Sequence, residues 1–267
     1  MLASPSMNQL NDIQTSETLS AAGFRFGDKG THTSRTIMLR ELEELLQAVP
    51  RGSHRSDYVE AIIEENALGK QTVATRKHSS QRMRELYGLD HGIPLFRVLR
   101  HVWALDVPGR PLIALLCTLC RDPLLRATAN PVLELPQSTE LVRSAFLASI
   151  RDAVGSRLND AILDKVARNA ASSWSQSGHL EGRVRKVRRR VTPTPGSTAF
   201  ALWLGSLEGL GGEQLLSSRW TEVLDTRGKS LLDSILQAKQ LGLIDARVGG
   251  GVIHVDPSRL AEASLEH

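Results

Sequence analysis

From Ser34 to Leu241 apolar side chains recur every three or four positions in segment after segment, and proline or glycine separates many of the segments. That spacing gathers the apolar residues of each segment on one helical face, whereas a half-buried strand would alternate apolar and polar residues. Ile37, Met38, Leu42, Leu45, Leu46 and Val49 form the first stripe, which Pro50 and Gly52 close. Leu95, Phe96, Leu99, Val102 and Trp103 form another. Phe146 and Ile150 continue the pattern with Leu141, Val142 and Ala145, and Ile162, Leu163, Val166, Ala170 and Trp174 make a fourth stripe. Residues 198–210 are apolar nearly all round, which predicts a central helix. Ser197 is placed to cap it, and Gly205 and Gly209 would let a neighbour approach. Two further amphipathic helices are expected over 215–224 and 230–241.

The segment from Arg55 to Leu89 carries both pattern and charge. Ser56 is placed to cap a first helix with Tyr58, Val59, Ile62 and Ile63 inward, and Leu68-Gly69 breaks the chain. Thr72 then caps a second helix in which Val73, Met83, Leu86 and Tyr87 face inward. Arg76, Lys77, Arg82 and Arg84 project outward, with Lys70 just before. Helix, tight turn and basic helix outline a helix-turn-helix whose cations neutralise phosphates. A solvated basic face on an ordinary bundle helix fits the same residues.

A second basic run lies between Arg183 and Arg190, where six of eight residues are Arg or Lys: Arg183, Arg185, Lys186, Arg188, Arg189 and Arg190. Its valines and cations do not alternate strictly, so a helical turn and an extended arm are both open. So many like charges need solvent or anions. Arginine's planar fork suits phosphate oxygens, and a solvated linker is the alternative. The net charge of +4 is too small for the average field to hold a polyanion, so any such partner must meet these local clusters. Aromatics at 4% argue against a platform of stacked rings for single strands.

Cys117 and Cys120 are the only cysteines. Their spacing lacks further ligands or a redox-motif context, so both are expected to pack as small hydrophobes in a reducing compartment. The N-terminus shows no charged region followed by an apolar core, and the longest apolar run is too short to span a bilayer. A cytoplasmic protein without a membrane segment is expected. The histidines are dispersed; His179 and His254 could ligate a metal, but isolated histidines more often cap helices or sit on surfaces. No nucleophile elbow, dinucleotide fingerprint or phosphate loop occurs, and catalytic carboxylates would converge only in space. Neither an enzyme nor a cofactor is expected.

The blocks LGKQTVATRKHSSQRM, ARNAASSWSQSGHLEGRVRK, TPTPGSTAFALWLGSLEGLGG and RWTEVLD, within a stretch from about Ser34 to Asp256, resemble the BrxA family of bacterial BREX phage-defence systems. The resemblance implies a mainly helical, non-enzymatic protein that binds double-stranded DNA beside the methyltransferase and other BREX defence proteins. It maps Arg76, Lys77, Arg82 and Arg84 onto the family's basic helix-turn-helix segment and puts Ser172, Ser173, Trp174 and Gly178 in its central block. Ser79 and Ser80 depart from the helix formers expected there, which puts that helix's continuity in question.

Together these features predict a mainly α, multi-helix fold. A flexible arm occupies 1–30, a helix-turn-helix-like bundle 31–130, and a helical domain 131–262, divided at the proline-bounded segment 131–136. The last domain ends in a winged-helix-like β-hairpin around Gly249, Gly250 and Gly251, and 265–267 is read as a tag remnant. DNA binding through phosphate contacts is the expected function, with a helical protein-interaction adaptor as the alternative.

Overall fold

The computed structural model describes residues 7–249 and 252–265. The protein is mainly helical, with two small antiparallel two-stranded sheets among the described residues. In chain order the elements are α1 (Met7–Ala22), α2 (Leu39–Ala48), α3 (Arg55–Ile63), α4 (Val73–Tyr87), α5 (Pro94–Leu105), α6 (Arg110–Arg121), α7 (Pro123–Arg126), α8 (Ala129–Leu133), α9 (Arg143–Val154) and α10 (Asp160–Gln176). There follow β1 (Leu180–Glu181), β2 (Val187–Arg188), α11 (Pro195–Leu207), α12 (Glu213–Leu216), α13 (Arg219–Glu222), α14 (Gly228–Gln240), β3 (Asp245–Gly249), β4 (Val252–Asp256) and α15 (Ser258–Ala263). Among the described residues no helix is long and apolar enough to cross a membrane.

The stripes read from spacing are buried in their larger part, but Val142, Ala145 and Ile162, expected inward, are exposed. Phe96, Leu99 and Val102 of α5, Phe146 and Ile150 of α9, and Val166, Ala170 and Trp174 of α10 are all in the core. Residues 196–205 of α11 are buried on every side, and this helix packs against α5, α6, α13 and α14. Thr194, not Ser197, caps it: the Ser197 amide donates to the Thr194 hydroxyl, and the Thr194 amide donates to the Ser197 hydroxyl at 2.9 Å. The buried Asp106 carboxylate also accepts the Gly196 amide at 2.8 Å, placing negative charge at the positive end of α11. A Cβ at Gly196 would run into that carboxylate, which explains the glycine. Gly205 lies against Leu215 and Ser218, but Gly209 faces open space and serves by its positive φ just past the helix.

Four further expectations are corrected. The arm read over 1–30 is helical over Met7–Ala22, and Leu19, Ala22 and Phe24 enter the core; residues 1–6 lie outside the described residues. Its many Asn, Ser and Thr residues, which are poor helix formers, hid this. The tight turn between the basic pair is instead a connection over 64–72, with Leu68 buried and Asn66 and Gly69 at positive φ, where a helix-turn-helix uses roughly three or four residues. Val73 is 53% exposed, while Ser79 and Ser80 face inward and α4 runs unbroken through both. The boundary at 131–136 does not separate two cores, since α11 packs on α5 and α6 and one apolar cluster runs from Leu19 to Leu260. Two elements stand as read: Cys117 and Cys120 are buried, and β3 and β4 pair antiparallel, Ala246 opposite Val255. Gly250 and Gly251 of the hairpin turn, and Glu266 and His267 of the segment read as a tag, lie outside the described residues.

Candidate nucleic-acid interface

The basic helix α4 spends most of its cations internally. Arg76 donates to the carbonyls of Ile63 at 3.0 Å and Lys70 at 3.3 Å, closing the open end of α3. Lys70 pairs with Glu41 at 3.0 Å and Arg82 with Glu85 at 2.8 Å. Arg84 is half-buried, and burial together with nearby Arg55 lowers its pKa. Only Lys77 is exposed without an ion pair among the described residues, so the phosphate-binding stripe expected on this helix is reduced to one lysine. The reason is geometric: Arg76 reaches back over the 64–72 connection, and Arg82 lies one turn from Glu85 on the same helix.

The second basic run is neither helical turn nor arm. It is an antiparallel hairpin in which Leu180 faces Arg188 and Glu181 faces Val187, extended by residues 138–141 through the Glu140–Val187 bridge. Folding sorts its six cations. Arg188 is 2% exposed, donates from Nε to the Val132 carbonyl at 2.8 Å, and forms a two-pronged ion pair with the Asp225 carboxylate. It is therefore a structural cation and is withdrawn from the phosphate-contacting set. Arg189 pairs with Glu181 at 2.5 Å on the surface, a contact that solvent screens. Lys186 is half-buried and donates to the Ser175 hydroxyl at 2.9 Å; burial lowers its pKa. Arg183, Arg185 and Arg190 are exposed and make no ion pair among the described residues.

A groove of about 790 Å³ opens beneath this hairpin, against α9 and α10. Arg183 and Lys186 reach it from the hairpin, Arg143 from α9 and Arg168 from α10, while Glu140 is its one acid. Arg143 is already paired with Asp164 at 2.5 Å. Arg143 and Arg168 were missed in the sequence. Lys165, Arg168 and Ser172 lie along one side of α10 and could have flagged Arg168, but Arg143 joins them only because α9 packs on α10.

A buried chain of Ser173, His32 and Asp122 was also missed. His32 donates from Nδ1 to the Asp122 carboxylate at 2.8 Å, and its Nε2 lies 2.8 Å from the Ser173 hydroxyl. These are the residue types of a nucleophile relay. Here, however, all three are buried, and the Ser173 hydroxyl also accepts the Ile37 amide at 3.0 Å and faces the Asn169 carbonyl at 2.9 Å. Asp122 further accepts the amides of Thr31, Leu124 and Leu125. Burial pushes its pKa up, but the His32 ring and the amides of Leu125 and His32 outweigh it and hold the carboxyl below its usual range. The network fastens residues 30–37 to α7 and α10, and Gly30 is required because a Cβ there would overlap Asp122.

His179 is buried edge-on to Trp174, with Nε2 2.8 Å from the Val223 carbonyl and Nδ1 2.8 Å from the Ser177 hydroxyl; burial brings its pKa down to about 4. Both ring nitrogens are engaged, so it is not placed as a metal ligand. His254 is exposed on β4. No family model matches this chain, and no curated protein matches it in sequence.

Proposed function

We propose that this chain is a non-enzymatic accessory protein of a BREX-type phage-defence system that binds duplex DNA mainly through phosphate contacts. One observation carries the proposal: the Arg183 to Arg190 run folds as a hairpin whose turn presents Arg183 and Arg185, exposed and unmatched by any carboxylate among the described residues. The hairpin fixes the backbone that carries these arginines, and their planar forks take two phosphate oxygens at once. Arg190 and Lys77 are the other predicted contacts still free to serve; Lys70, Arg76, Arg82 and Arg188 hold the fold. The defence setting comes from the resemblance to the BrxA family alone.

The test is a fluorescence-anisotropy titration of duplex DNA at rising salt. Arg183→Glu with Arg185→Glu is expected to weaken binding across unrelated sequences and to reduce the slope of log affinity against log salt by about two. Undiminished affinity and an unchanged slope in that variant would remove the proposal.

A further inference from the structure

The groove beneath the hairpin differs from a phosphate track in its apolar lining. Phe146 and Ala167 form buried floor, while Val142 is 58% exposed and Val184, between two arginines at the hairpin turn, 90%. Both valines face water, and Val184 is the most exposed large apolar side chain among the described residues. Around them stand Arg168, Arg183 and Lys186 against Glu140 alone, since Arg143 is answered by Asp164. Duplex DNA offers phosphate charge to such a rim but little to fill a recess of about 790 Å³ floored by Phe146. A ligand complementary to both features is anionic and apolar in alternation.

We infer that this groove docks a short acidic segment of a partner protein, whose apolar side chains enter between Val142 and Val184 while its carboxylates meet Arg168, Arg183 and Lys186. Charge complementarity selects the occupant. The volume falls in the range of roughly 300–1,000 Å³ typical of pockets that enclose a ligand, and an apolar floor with a few convergent charges is how such sites combine affinity with orientation. Lys186, held against Ser175, is pre-positioned for a carboxylate. The inference stands apart from DNA binding and, of the cations expected to meet phosphate, shares Arg183 and Lys186.

The experiment uses the full chain and a fluorescein-labelled dodecapeptide alternating Glu and Leu, beside control peptides alternating Lys and Leu, and Glu and Ser. The Glu–Leu peptide is expected to bind about tenfold or more tighter than either control. Val142→Ser with Val184→Ser, both exposed positions, should weaken it by about tenfold and leave duplex-DNA affinity within about twofold. Equal affinity for the three peptides, no binding of the Glu–Leu peptide, or binding indifferent to the valine substitutions overturns the assignment. Each of those results leaves the salt-slope test of DNA binding untouched.

Discussion

Asp122 and His179 show how single buried groups bind the fold to pH. His179 has an ordinary value near 6.5 and is brought to about 4 by burial, so the folded protein favours the neutral ring. As pH falls below about 6.5 the unfolded chain takes up the proton first, and stability is lost until the folded ring also titrates near 4. The loss at the bottom of that window is roughly 3 kcal/mol. Asp122 acts lower down: its folded pKa is depressed, so its contribution is present above the unfolded value of about 3.9 and fades below it. Urea midpoints measured from pH 7 to 4 are therefore expected to fall in the native protein. After His179→Gln the decline over that window should be largely gone, and an unchanged decline would show that other groups drive it. His179 was read only as a possible ligand or surface residue and Asp122 not at all, because a lone histidine and a lone aspartate have no spacing signature; their partners come from sequence positions as distant as His32 and Val223.

Among the elements, the helices were readable where burial decides the pattern and unreadable where polar contacts do. Spacing identified Phe146, Ile150, Leu163 and Trp174 correctly, since a helix must cover its apolar stripe. It misplaced Val73 at an exposed first turn and could not foresee inward Ser79 and Ser80. The β1–β2 hairpin escaped because its valines and cations do not alternate, and because part of its support comes from residues 138–141 far earlier in the chain. Its turn depends on Gly182, which has φ of +103° and faces the Arg185 carbonyl so closely that no Cβ fits. Gly182→Ala is expected to cost about 1–3 kcal/mol locally. Hydrogen exchange should register this as faster exchange at the Arg188 amide, which donates to Thr139, with the amides of α11 unchanged. Equal acceleration in α11 would mean that the hairpin and the core open together.

At the scale of the whole molecule, α11 is the element on which the two halves of the sequence meet. It buries apolar side chains against α5 and α6 from one half and α14 from the other, and its N-terminus is closed by Asp106. A proline-bounded segment at 131–136 looks like a boundary in sequence because prolines mark a change of direction equally well inside one core. Residues 131–265 expressed alone would leave the α11 face that meets α5 and α6 uncovered. That fragment is expected to lack a cooperative thermal transition by circular dichroism, while the full chain unfolds in one step. A fragment that melts sharply with dispersed amide resonances would restore the two-domain division.

Cys117 and Cys120 sit inside α6, at the heart of that shared interior, with no exposed surface. Burial pushes the Cys117 thiol up to about 12 and raises Cys120 as well, so neither offers a thiolate to a reagent while the chain is folded. The pair is thus a built-in clock: each alkylation counts an excursion in which the entire interior comes apart, and local breathing at the hairpin or the chain ends goes unrecorded.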